Sequence, residues 1–344
     1  MVFKPNLLPI GIGSLPHLDP YKACKLILDN FPESPYWPQL PVRSPMEGML
    51  LQFTEGMPGL VEEEGRIFFR RPFEPPEEWE RYYEESSVDG SKYFRIGDGY
   101  ASGLHAMLEL LDGKSPYLIK GQVTGPITQG LGLLDESKIP AFYDPNLKEM
   151  ILKILSIKAR WQEEEFSRVV PRAHKLIFLD EPVLSGYGSI GMNLSKEDII
   201  QSIRNVSSSI EGLKGIHVCG ATDWSVIIES GIDVIHFDAY SFFSNMLAYS
   251  QELKDFLLNG GFLGWGIVPS DGEFLRVETL PNLLNAFYDK IEALLREGIP
   301  EGVLLKNSFI SQSCGLSSVS EPLAEKAIII TKELSMELRK GILS

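Results

Sequence analysis

Apolar, β-prone runs alternate along this chain with stretches whose apolar residues recur at i, i+3 and i+4. Residues 7–14 (LLPIGIGS) read as a strand, followed by a helix near 19–30. Residues 115–123 (SPYLIKGQV) and 174–180 (HKLIFLD) read as buried strands on either side of a long helix at 145–166. Residues 193–206 predict a helix with Ser195 as N-cap and Asp198 closing a capping box. Four more strands follow at 213–219, 231–238, 260–268 and 302–309. The helices between and after them lie near 223–230, 244–258, 278–297 and 320–340.

A short strand around 36–42 (YWPQLPV) brings the count to eight alternating units. That pattern predicts an α/β fold, a (β/α)8 TIM barrel, formed by residues 1–344 as one domain. A two-domain doubly wound protein is the alternative. Residues 54–100, rich in Glu, Pro and Tyr, interrupt the alternation and predict an insertion carrying a hairpin and helices.

Composition narrows the function. A net charge of −15 repels phosphate backbones and argues against nucleic acid as a partner. No apolar run reaches the ~20 residues of a membrane span, and Pro5 and Pro9 break the apolar N-terminal stretch, which makes a poor signal peptide. Three cysteines in 344 residues make no disulfide framework, so the expected compartment is the reducing cytoplasm.

Barrel enzymes build their sites at the C-terminal ends of the strands. There this sequence places Gly13-Ser14, Thr124-Gly125-Pro126, Asp180-Glu181-Pro182, His217-x-Cys219-Gly220, Asp238, Gly264-Trp265-Gly266 and Ser313-Cys314-Gly315. His217 and Cys219 project to one face of a strand because side chains alternate. Cys314 arrives from another strand end, and an imidazole with two thiolates is a zinc set with a fourth position left over. Asp238, on the neighbouring strand, is the candidate for that position. Cys24, inside an amphipathic helix, is expected to be core. Glu181 is expected to be structural, and Trp265 core or pocket wall.

In order along the chain, these segments resemble the C-terminal catalytic barrel of cobalamin-independent methionine synthase, within the superfamily that also holds uroporphyrinogen decarboxylase and corrinoid-linked thiol methyltransferases. IGSLP (12–16), VTGPIT (123–128), LDEPVL (179–184), HVC (217–219), DVIHFD (233–238) and SCGL (313–316) carry the resemblance. It implies that Ile12, Gly13 and Ser14 hold the amino-acid end of homocysteine and that Asp180 binds its amine. It also implies zinc on His217, Cys219 and Cys314 with Asp238 as the fourth ligand. Glu47, in SPMEGM, is expected to join Ser14 and Asp180 in gripping that end.

The departures concern the methyl donor. The family's second, N-terminal half has no counterpart here. Gly132 and Gly186 fall where the family has a folate-contacting tryptophan and glutamate, and glycine at both is expected to open the rim. GWGIVPSDG holds no counterpart of the proton-donating histidine. Single-barrel relatives take methyl from a corrinoid protein, so the resemblance implies a zinc-dependent methyltransferase making methionine from homocysteine with a methylcorrinoid donor. Two alternatives stand beside it: methylation of another thiol such as coenzyme M, and a non-catalytic zinc or corrinoid-protein binding module.

Overall fold

The apolar runs satisfy their backbone groups by pairing side by side, all in parallel. The computed structural model describes residues 3–63, 65–71, 76–87, 92–187 and 193–343. Its strands are β1 (Leu8–Pro9), β2 (Leu60–Glu63), β3 (Arg66–Phe69), β4 (Leu118–Thr124), β5 (His174–Asp180), β6 (Leu213–Val218), β7 (Val234–Phe237), β8 (Phe262–Val268) and β9 (Ser308–Gln312). Seven of them form one curled parallel sheet in the order β1-β9-β8-β7-β6-β5-β4, while β2 and β3 make a separate antiparallel hairpin.

The sheet thus has seven strands where the alternation predicts eight. Residues 36–42 form no ladder strand, because Pro38 and Pro41 lack the N–H groups a ladder needs. Their segment still touches both outer strands. Tyr36 bridges Lys120 of β4, and Gln39 bridges Ser14 just beyond β1, both in parallel sense. The backbone N–H of Lys120 donates to Pro35, that of Gln39 to Gly13, and that of Leu15 to Gln39.

A second correction concerns residues 302–309. Glu301–Lys306 is a helix with Pro300 at its N-cap, and the strand begins only at Ser308. A short apolar run such as GVLL fits either period, and the preceding proline favours a helix start. Helix Lys196–Ser207 is capped as the sequence predicts: Ser195 Oγ accepts from the Asp198 N–H at 3.0 Å. The insertion contains the β2–β3 hairpin and helix Pro76–Ser87. It is pinned to helix Pro145–Val169 by the buried Lys158 ammonium, which donates to the Phe94 and Arg95 carbonyls. Burial lowers that ammonium to about 7, against the pull of Glu55.

The sheet separates two cores. The larger packs its outer face against the helices, through residues such as Ile177, Ile216, Ile235 and Leu263. The smaller fills the lower part of the concave face with Leu8, Ile10, Leu176, Phe178, Val234 and Phe309. Alternation carries that face upward from Phe178 to Asp180, from Gly215 to His217, from Val234 to His236 and from Phe309 to Ser311. Each strand therefore turns from apolar to polar as it approaches its C-terminal end.

Segment 36–39 also meets helix Ser102–Leu110, where a Cβ on Gly103 would lie 2.0 Å from the Pro38 carbonyl oxygen. Backbone cannot swing aside, so Gly103→Ala is expected to destabilise by about 1–3 kcal/mol. Gly99→Ala is expected to be near neutral, because a Cβ at Gly99 would meet no described residue within 4 Å. Denaturant titration of both variants checks this; equal stabilities would show that segment 36–39 is loosely held.

Candidate functional site

Parallel pairing in unbroken register lines up one residue from each of β4 to β8. Thr124 faces Asp180, Asp180 faces His217, His217 faces His236, and His236 faces Gly264. This row crosses the concave face at its polar end. Above it lies a cavity of about 360 Å³ lined by Ile12, Ser14, Glu47, Asp180, His217, Cys219 and Cys314, with Pro41, Met49, Pro182, Ser317 and Ser318 toward its mouth.

Seven of the nine residues singled out in the sequence thus line one cavity. Gly13 is not in the lining but packs against a residue that is: a Cβ there would lie 2.7 Å from Gln39 Oε1. Asp238 is buried but does not line the cavity. Its Oδ1 accepts from the Ser241 N–H at 2.8 Å, and burial raises its carboxyl above the usual range.

The ligand atoms of His217, Cys219 and Cys314 all lie within 4.8 Å of one another, and among the described residues the Asp238 carboxylate is not in that group. His217 Nε2 is buried with no hydrogen-bond partner. Such an orphaned nitrogen beside two thiols fits a metal ion, since a buried polar atom otherwise costs free energy without return. The thiols are electrically coupled. Cys219 is drawn down to about 4 chiefly by hydrogen bonding with Cys314, while the same pairing and burial push Cys314 up. One proton between two sulfurs is what this closeness imposes, and a bound cation would release it. Cys24 is buried in the core, its Sγ donating to the Gly103 carbonyl at 3.3 Å.

Asp180 is buried, and its Oδ1 has no hydrogen-bond partner among the described residues. Burial raises its carboxyl to about 6, and Lys120 and His217 oppose the rise. Lys120 is buried too, and burial lowers its ammonium to about 8 against the attraction of Asp180. The ammonium donates to the Ile12 carbonyl at 2.6 Å and to Gln122 Oε1 at 3.1 Å, and sits 4.5 Å from the Phe178 ring centroid. Glu47 is buried and receives Arg43 at 2.6 Å and Ser102 at 2.8 Å. Ser14 packs so close to Gly315 that a Cβ there would lie 2.1 Å from Ser14 Oγ. Glu181 turns away to cap helix Pro126–Gly132, accepting from the N–H groups of Ile127 and Thr128 and from the Thr128 hydroxyl. Burial raises its carboxyl to about 7.

At Gly132 the expected opening of the rim is not found. A Cβ there would lie 2.5 Å from Leu50, so that side chain occupies the space a larger residue would need. Gly186 ends the short 3-10 turn Pro182–Gly186.

Sequence reasoning missed three polar residues under the cavity: Lys120, His236 and Ser311. His236 Nδ1 lies 2.8 Å from His217 Nδ1, and its Nε2 lies 2.5 Å from Ser311 Oγ. Burial drives the His236 imidazole well below its ordinary pKa, helped by His217 and Lys120. The signal was present: His236 lies two residues before Asp238 in an apolar strand, and Lys120 is a lone charge inside LIKGQV.

No family model matches the chain, and no curated protein is matched. Solved structures do match over nearly the whole length. A B12-independent methionine synthase from Shewanella sp. W3-18-1, in complex with selenomethionine, superposes with a TM-score of 0.59 at 12% identity, covering 98% of this chain and 99% of that one. A methyltransferase from Methanosarcina mazei gives a TM-score of 0.56 at 15% identity, covering 95% and 87%. This chain therefore shares the α/β fold of these two structures, a methionine synthase and a methyltransferase.

Proposed function

We propose that the chain is a zinc-dependent methyltransferase that methylates the thiol of homocysteine to give methionine. The observation that carries the reading is the group formed by His217, Cys219 and Cys314 in the wall of a cavity that Asp180, whose Oδ1 has no partner among the described residues, also lines. Two structural neighbours supply the context: one is a methionine synthase bound to the selenium analogue of methionine, the other a methyltransferase. We read residues 36–39 as the second strand position of a full barrel, reduced to two bridges by its prolines.

His217, Cys219 and Cys314 would hold the zinc, with solvent as the fourth ligand, or Asp238 once its carboxylate leaves the Ser241 N–H. Bound zinc keeps a coordinated thiol deprotonated at neutral pH, where a free thiol of pKa about 8.5 is mostly protonated. The remaining work belongs to the chain. Asp180 meets the substrate ammonium, and the buried Lys120 charge favours the ionised carboxylate that this requires. The same lysine fixes the Ile12 carbonyl, so the 12–14 segment is held where it can meet the amino-acid end. Ser14 and Glu47 complete that end of the cavity. Anchoring there points the sulfur at the His217, Cys219 and Cys314 group, and the new S–CH3 bond forms as the methyl leaves its carrier, whose bonding electron pair stays with the carrier.

The reading of the donor draws on the rim. The matched synthase is of the same length, so length does not choose between donors. The rim residues favour a corrinoid. Leu50 fills the space at Gly132 that a pterin-stacking tryptophan would take, and Gly186 offers no carboxylate to a pterin. A cavity of about 360 Å³ suits a free amino acid and leaves a corrin to approach from outside.

Two measurements test this function. Asp180→Ala is expected to raise the KM for homocysteine by tens of fold, the worth of a charged hydrogen bond of about 1.5–3 kcal/mol, while zinc content is unchanged; unchanged KM would remove Asp180 from the substrate site. Methionine formation from homocysteine is expected with methylcobalamin, free or on a corrinoid protein, and not with methyltetrahydrofolate. Equal or faster turnover with the folate would overturn the donor, and methylation of coenzyme M in preference to homocysteine would overturn the acceptor.

A further inference from the structure

The hydrogen bonds behind His217 run in one direction. Ser311 Oγ lies 2.7 Å from the Gln312 carbonyl oxygen, which only accepts, so the hydroxyl hydrogen points there. Toward His236 the same oxygen is then an acceptor, and His236 Nε2, 2.5 Å away, carries a hydrogen. A neutral His236 with its hydrogen on Nε2 offers a lone pair at Nδ1. That lone pair faces His217 Nδ1 at 2.8 Å, so the hydrogen of His217 is on Nδ1 and its free lone pair is on Nε2. Nε2 is the buried nitrogen that has no hydrogen-bond partner among the described residues.

The place of the His236 ring is built into a neighbouring strand. A Cβ on Gly264 would lie 2.8 Å from His236 Cδ2, and one on Gly266 would lie 3.1 Å from its Cε1. These two glycines flank Trp265 on β8 and leave the room that the imidazole fills. The chain of contacts therefore spans β6, β7 and β9, and β8 is shaped around it.

We propose that His236 is a positioning residue for the metal centre: anchored by Ser311, it holds His217 in the Nδ1–H tautomer and fixes the ring so that Nε2 is presented to the ion. The proposal rests on the zinc reading for its purpose, but its structural content is a property of the metal-free protein. Partners behind a metal-binding histidine commonly contribute 10–100-fold to metal affinity. His236→Phe keeps a buried ring of similar bulk but removes the acceptor. Ser311→Ala removes the anchor and leaves His236 in place.

The first test uses the unaltered metal-free protein. Two-bond ¹⁵N–¹H correlation spectra of the imidazoles at about pH 8, where an ordinary histidine of pKa about 6.5 is neutral, are expected to show His217 as the Nδ1–H form. An Nε2–H His217 would overturn the proposal, whether or not the protein binds zinc. The second test is competition for zinc with a chromophoric chelator. Zinc affinity is expected to fall about 10–100-fold in His236→Phe and less in Ser311→Ala, with His217 in a mixture of tautomers in both metal-free variants. His236→Gln, which restores an acceptor, is expected to recover part of the loss. Unchanged zinc affinity in both His236→Phe and Ser311→Ala would overturn it. Wild-type protein that binds no zinc while showing the Nδ1–H form would instead sink the zinc reading.

Discussion

The register of five parallel strands is the constraint on which the site depends. Thr124, Asp180, His217, His236 and Gly264 face one another across β4 to β8 without a slip, at the strand spacing of about 4.8 Å. A one-residue shift in β6 would turn His217 and Cys219 to the outer face and bring Val218 inward. The large outer core forbids this, because it buries the alternate residues of the same strands, such as Ile216, Val218 and Ile235. Packing energy on the convex side therefore fixes chemistry on the concave side.

The concave face is graded. Leu176, Phe178, Val234 and Phe309 close its lower part, and one step higher stand Asp180, His217, His236 and Ser311. Burying this many polar groups costs free energy unless each finds a partner. Lys120, His236 and Ser311 find theirs within the protein. Asp180 Oδ1 and His217 Nε2 do not. The two orphans border the same cavity, and a thiol-bearing amino acid and a metal ion are ligands that would complete them.

How far the sequence foretells this follows the same logic. Short apolar, β-prone runs bounded by turn residues identify β4 to β8, and the polar residue at each strand end marks the rim, so Asp180, His217, Cys219 and Cys314 are found by position and type. Residues 36–39 are recognisable as a strand element, but whether their prolines leave a ladder or two bridges depends on the neighbouring backbone, which no local pattern records. The segment at 302–309 misleads because GVLL fits both periods over so short a run. His236 and Lys120 escape notice because each lies inside an apolar run and not at its end; their meaning appears only across strands. Asp238 shows the converse, a residue in the right motif whose carboxylate is held by the Ser241 N–H, outside the group of metal-ligating atoms. The rim at Gly132 cannot be read from the glycine alone, because Leu50, which fills it, is 82 positions earlier in the chain.

The claim that zinc is held by one histidine and two cysteines is tested most directly by zinc K-edge X-ray absorption on protein carrying one equivalent of zinc. The expected spectrum has two sulfur neighbours at about 2.3 Å and light-atom neighbours at about 2.0–2.2 Å, with a third sulfur appearing when homocysteine is added. Zinc surrounded by nitrogen and oxygen alone, or an unchanged sulfur count with homocysteine present, would contradict the account.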